Sequence, residues 1–143
     1  MKVVLAHGVW DLLHVGHLAH LEQAAKMGYL VVSVVPDKYA TKRKPIYDER
    51  ARVRLLRALR CVDQVELCDA PGPEKLIRKI EPDIYVRGAD YRRKEMPESA
   101  LLRRLGIKVR YTKASNGPRT TGIIERIRKG ITYLTPARER SNK

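Results

Sequence analysis

The chain has no phenylalanine, one tryptophan and two cysteines in 143 residues. Cys61 and Cys68 are too few for a disulfide scaffold, and their spacing fits no zinc motif, so they read as reduced thiols in a cytoplasmic protein. No apolar run approaches the roughly 20 residues of a membrane helix. The longest, Tyr29–Val35, has the length of a strand, and no membrane partner is expected. The first residues, MKVVLAHGVWD, turn polar too soon for a secretory signal. Acidic residues are scarce, 16 Asp+Glu against 30 Lys+Arg, which leaves a net charge of +14. Such an excess implies an anionic partner, which could be nucleic acid, a membrane surface or a phosphorylated small molecule.

What is present is an ordinary globular proportion of hydrophobic residues, 43%, enough for one domain and one core. Val3–Ala6 and Tyr29–Val35 are valine-rich runs of the kind buried on both faces of a parallel sheet. Between them Val15, Leu18, Leu21, Ala24 and Ala25 recur at helical spacing, with Gly28 placed as a C-cap. The β-α-β pattern then repeats. Helices are expected over Asp48–Arg60 (with Val53, Leu55, Leu56 and Leu59 inward), Glu74–Ile80, Pro97–Leu105 and Thr121–Lys129. Strands are expected at Gln64–Leu67, Ile84–Arg87 and Lys108–Tyr111. Five strands alternating with five helices predict an α/β fold, a five-stranded, mostly parallel, doubly wound (Rossmann-like) sheet with helices on both faces. That domain occupies residues 1–130. Residues 131–143 read as a basic C-terminal tail. In such a sheet ligands bind beyond the carboxyl ends of the strands, so chemistry is expected in the loops that follow each strand.

The first of these loops runs His7-Gly8-Val9-Trp10-Asp11-Leu12-Leu13-His14-Val15-Gly16-His17. His14 and His17 lie three apart at the front of a helix, with Gly16 between them removing a side chain. Free backbone N–H groups point outward at a helix start, so two imidazoles there form a cradle for phosphate oxygens. A zinc site would need further ligands, for which His7, Asp11 and His20 are the candidates, and it ranks well behind the phosphate reading.

The string G-V-W-D-L-L-H-V-G-H resembles the signature of the nucleotidyltransferase superfamily that carries an H-x-G-H motif. Three more segments fall in that family's order: Arg60–Val65, Pro82–Tyr91 and Thr120–Ile127. The last two lean toward the heptose 1-phosphate adenylyltransferase type. The glycerol 3-phosphate cytidylyltransferase type is the near alternative, made less fitting by Ala89, which stands where that type has an aspartate. The resemblance implies transfer of a nucleoside monophosphate from ATP or CTP to a small phosphorylated acceptor such as a sugar phosphate. It also implies direct in-line attack, release of pyrophosphate, Mg²⁺ with the triphosphate, and a homodimer.

Residue by residue, the resemblance makes His14, His17 and Lys44 catalytic. It assigns Gly8, Val9, Trp10, Gly16, Lys42, Arg119, Thr120 and Thr121 to the nucleotide and its phosphates, although core packing is the stronger role for Trp10. His7, Asp11, Gly88, Asp90, Tyr91 and Arg52 fall to the acceptor or the base, with helix capping an equal role for Asp11 and bracing of a subunit interface an equal one for Arg52. Which of Lys42, Arg43 and Lys44 reaches the triphosphate is open. Arg119 stands where relatives have serine, and an arginine there can replace a hydroxyl donor by a bidentate one. His20 reads as a surface residue. A different class of function, a basic nucleic-acid-binding module on a nucleotide fold, is supported by the charge and by the tail, but the basic blocks lack the interleaved aromatics of single-strand binders.

Overall fold

The computed structural model describes residues 1–115, 117 and 119–130. Expectations placed on residues 131–143, including the basic tail and its nucleic-acid role, lie outside the described residues. The chain alternates β1 (Val3–Gly8), α1 (Val15–Ala25), β2 (Tyr29–Val34), α2 (Glu49–Arg57), β3 (Gln64–Leu67), α3 (Glu74–Ile80), β4 (Ile84–Arg87), α4 (Ser99–Arg104), β5 (Lys108–Tyr111) and α5 (Thr120–Arg128). All neighbouring strands pair in parallel, in the order β3-β2-β1-β4-β5.

The sheet is central because its strands are apolar on both sides. In β1, Val4 and Ala6 face one layer, where they meet Leu21 and Ala24 of α1 and Leu56 of α2. Leu5 faces the other, with Leu76 and Ile77 of α3 and Leu101 and Leu102 of α4. Val4, Leu5 and Ala6 are fully buried, so each truncated methyl or methylene here would cost about 1 kcal/mol. Among the described residues no helix is long and apolar enough to cross a membrane.

Three of the boundaries that differ from the sequence reading have a visible cause. β1 runs two residues past its apolar stretch, because His7 and Gly8 still pair with Ser33 and Val34. α2 is shorter than the pattern suggested: the Asp48 carboxylate accepts from the Ala51 N–H and caps it, and its Leu55 faces solvent rather than the core. α4 begins at Ser99, after Pro97 and a Glu98 whose carboxylate is buried against the Tyr85 hydroxyl.

Candidate active site

The strand order reverses at β1, which has β2 on one side and β4 on the other. Beyond the carboxyl ends of these strands the connecting loops part, as doubly wound sheets require. A cavity of about 660 Å³ opens there, within the size range of small-molecule and cofactor sites. The loops after β1, β2, β4 and β5 all contribute to its walls.

The loop after β1 is held in a costly conformation. Trp10 and Leu12 have φ of 59° and 48°, the left-handed region that costs such residues about 1 kcal/mol or more. Surrounding bonds fix it. The Trp10 Nε1–H donates to the Ser33 carbonyl at 3.0 Å, and the indole lies so close over Gly8 that a Cβ there would stand 3.0 Å from the ring. The Asp11 carboxylate, buried, accepts from the backbone N–H groups of Ile46 and Tyr47 at 2.9 and 3.0 Å. Its own carbonyl accepts from the Thr120 hydroxyl at 2.8 Å. Asp11 therefore ties the first loop to the second and to α5. It does not line the cavity, and the cap of α1 is His14.

α1 is capped by the two histidines themselves. The His14 Nδ1 accepts from the N–H groups of Gly16 (3.0 Å) and His17 (3.3 Å), and the His17 Nδ1 accepts from the His14 N–H (3.3 Å). This reciprocal box satisfies helix N–H groups that otherwise lack partners. The rings stack with centroids 3.8 Å apart. Because each Nδ1 accepts, each neutral ring carries its proton on Nε2, and both rings line the cavity. Burial, reinforced by the neighbouring histidines, holds His17 down to about 4, against a small opposing pull from Asp11. His14 is also lowered, by burial and by Arg119. At neutral pH the pair is two uncharged N–H donors. Gly16 is required by this packing: a Cβ on it would stand 2.8 Å from His14 Cε1.

His7 and His20 line the same cavity. The His7 Nδ1 is 2.6 Å from the Ser33 hydroxyl and the His20 Nδ1 is 2.6 Å from that of Thr112. Both are lowered to about 4, first by burial and then by the Arg87 guanidinium. His20 is thus a cavity residue, not a surface one. Its position one helical turn beyond His17 was the available signal. Arg87, at the end of β4, reads in the sequence as an ordinary strand residue, yet it lines the cavity. Its Nη1 donates to the His7 carbonyl at 2.9 Å, and its guanidinium lies 3.8 Å over the Tyr91 ring.

The remaining sequence candidates divide. Gly8, Val9, Trp10, Gly16, Lys42, Arg119, Thr120, Gly88, Asp90 and Tyr91 all line the cavity, as does Arg43. Lys44 and Thr121 do not, though Arg43 Nη1 donates to the Thr121 hydroxyl at 3.4 Å and so closes the second loop onto α5. Arg52 does not line the cavity. It is fully buried, donating from Nε to the Tyr47 carbonyl, from Nη1 to those of Val9 and Val35, and from Nη2 to the Asp37 carboxylate at 2.7 Å. Its guanidinium is the internal clamp between the first two loops. Among the described residues no group of three or more His, Cys, Asp or Glu side chains is placed to hold a metal.

Known proteins are similar to this chain. The chain is 40% identical over 88% of its length to the bifunctional protein HldE of Magnetococcus marinus, and 35% identical over 90% to that of Streptomyces coelicolor. It spans only 27% and 29% of those two relatives. A lipopolysaccharide core biosynthesis protein from Thermoplasma volcanium is 33% identical and superposes with a TM-score of 0.67, over 80% of this chain and 97% of that one. Pantothenate synthetase from Thermus thermophilus shares the fold at 21% identity, with a TM-score of 0.50 over 80% of this chain and 55% of that one. Residues 5–126, which run from the core of β1 into α5 and include every loop of the cavity, match the cytidylyltransferase-like family, and the chain belongs to it.

Proposed function

We propose that this domain transfers a nucleoside monophosphate from a triphosphate, ATP in the first instance, to a sugar 1-phosphate. The observation that carries the reading is the stacked His14–His17 cap, whose geometry leaves two Nε2–H donors at the N-terminus of α1. Phosphate oxygens are what such a site binds. Lys42, Arg43 and Arg119 add positive charge in the same cavity, and Thr120 fixes the start of α5 against the first loop.

In the reaction an oxygen of the acceptor phosphate attacks the α-phosphorus. A new P–O bond forms while the bond to the bridging oxygen breaks, and that oxygen leaves with its electron pair as part of pyrophosphate. No covalent enzyme intermediate is required, so the protein's work is alignment and stabilisation of charge on the transition-state oxygens. Neutral Nε2–H groups suit that work, since they donate hydrogen bonds without needing to lose or gain a proton. Mg²⁺ enters as the chelate of the triphosphate substrate and adds charge neutralisation there. Sugar 1-phosphate is favoured over a polyol phosphate by the Gly88-Ala89-Asp90-Tyr91 turn, which lacks the first acidic residue of the glycerol phosphate type.

A panel of ATP, CTP, GTP and UTP against sugar 1-phosphates, heptose 1-phosphate included, and glycerol 3-phosphate, scored by pyrophosphate release, tests the reading. Turnover is expected with ATP and a sugar 1-phosphate, and a fall of about a hundredfold or more in His17→Ala. Turnover with CTP and glycerol phosphate alone would reassign the substrates. Full activity in His17→Ala would remove the mechanism.

A further inference from the structure

We infer that a second hollow, between α4 and β5, binds a free nucleoside phosphate at a site separate from the catalytic cavity. None of the residues that line it lines that cavity.

The hollow measures about 410 Å³, within the range of small-ligand sites. The segment after Tyr91, α4 and β5 form its walls. Its floor is apolar: Met96 and Leu102 are buried, and Ile107 and Val109 pack half-buried against the same core layer. Its rim is cationic. Arg92, Arg93 and Lys94 are exposed, and no salt bridge joins them among the described residues. Arg103 is held at 3.0 Å by Glu95. Three like charges on consecutive residues repel one another, and an anion seated among them relieves that repulsion.

Ser99 adds a neutral donor. It is buried, its Oγ accepts from the Met96 N–H at 3.0 Å, and no acceptor for its own proton is found among the described residues. Guanidinium, ammonium and a hydroxyl that already accepts all offer hydrogens, which selects an anion. A bare phosphate would leave the apolar floor in water. Tyr111 also lines the hollow, with the Arg92 guanidinium 5.4 Å from its ring centroid, and a flat base stacks on such a pair. A ligand with phosphate at the rim and a planar body over the floor covers both parts, and a nucleoside phosphate has that shape.

The test titrates AMP onto the whole chain and follows the methyl signal of Met96. The expected result is a saturable shift of Met96, with Met27, which packs in the other core layer, unmoved. Inorganic phosphate, of similar charge, should bind at least tenfold more weakly by the same signal. In the double variant Arg92→Gln/Lys94→Gln the AMP affinity read at Met96 should fall at least tenfold. The affinity for α,β-methylene-ATP read at the His14 and His17 rings should stay within threefold in that variant, which shows that the fold and the catalytic cavity are intact. A Met96 signal that AMP leaves in place, an AMP affinity unchanged in the double variant, or phosphate binding as tightly as AMP would overturn the assignment. A short RNA strand that binds at Met96 at least tenfold tighter than AMP would overturn it too, by making the ligand a polymer.

Discussion

Replacing Gly16 by alanine separates folding from function at the α1 cap. The added Cβ would meet His14 Cε1 at 2.8 Å and Nδ1 at 2.9 Å, with the Ser115 hydroxyl oxygen at 3.3 Å. The flexible group is the imidazole, so the ring swings off the helix end and its Nδ1 gives up the N–H groups of Gly16 and His17. Loss of a cap costs about 1 kcal/mol. The glycine-to-alanine change within a helix returns up to about 1 kcal/mol. Net stability should therefore move by less than about 1 kcal/mol. The donor, however, is displaced by more than the ~0.5 Å that a preorganised site tolerates, which should lower kcat about a hundredfold, equivalent to ~3 kcal/mol of transition-state stabilisation. Urea denaturation and pyrophosphate release measured on the same preparation test both halves. An active Gly16→Ala enzyme would refute the reasoning, and so would an inactive one that has lost several kcal/mol of stability.

Other expectations follow from the buried polar groups. His7, His17 and His20 sit near 4 in the fold against 6.5 when free, so the unfolded chain takes up protons first as pH falls. Stability should be complete above about pH 6.5 and decline toward pH 4, by about 3 kcal/mol at most for His7, and urea midpoints at pH 7 and pH 5 measure it. Arg52→Met strips the carbonyls of Val9, Val35 and Tyr47 of their donor and should cost about 3–5 kcal/mol, with no rescue by lysine, in the same denaturation assay. Asp11→Ala leaves the N–H groups of Ile46 and Tyr47 unpaired, a loss of about 2 kcal/mol, and should raise the KM for triphosphate as the second loop loosens. Steady-state kinetics should find Lys42→Ala at least tenfold slower and Lys44→Ala within about threefold of wild type, because only the former lines the cavity.

The sheet was legible in the sequence because its strands are buried on both faces, which writes them as unbroken apolar runs around Val4, Val31 and Val86. The histidine pair was legible for a local reason: a three-residue spacing at a helix start places both rings at one end whatever the rest of the chain does. Long-range roles were not. Arg52 looks like its exposed neighbours Arg50 and Arg54 on a basic helix, and only the return of two loops over it turns it inward. Asp11 reads as a helix cap until Ile46 and Tyr47, some 35 residues on, bring it their N–H groups. Arg87 ends a strand of strong pattern, which hides the contacts its guanidinium makes with the His7 carbonyl and the Tyr91 ring.

The long-range proton–nitrogen spectrum of the four histidine rings, recorded without and with saturating α,β-methylene-ATP, tests the His14–His17 donor pair most directly. It should report His14 and His17 as neutral rings protonated on Nε2 in the free protein, with both Nε2–H signals moving as the analogue binds. Nδ1-protonated rings, or an analogue that binds tightly and leaves both signals in place, would contradict it.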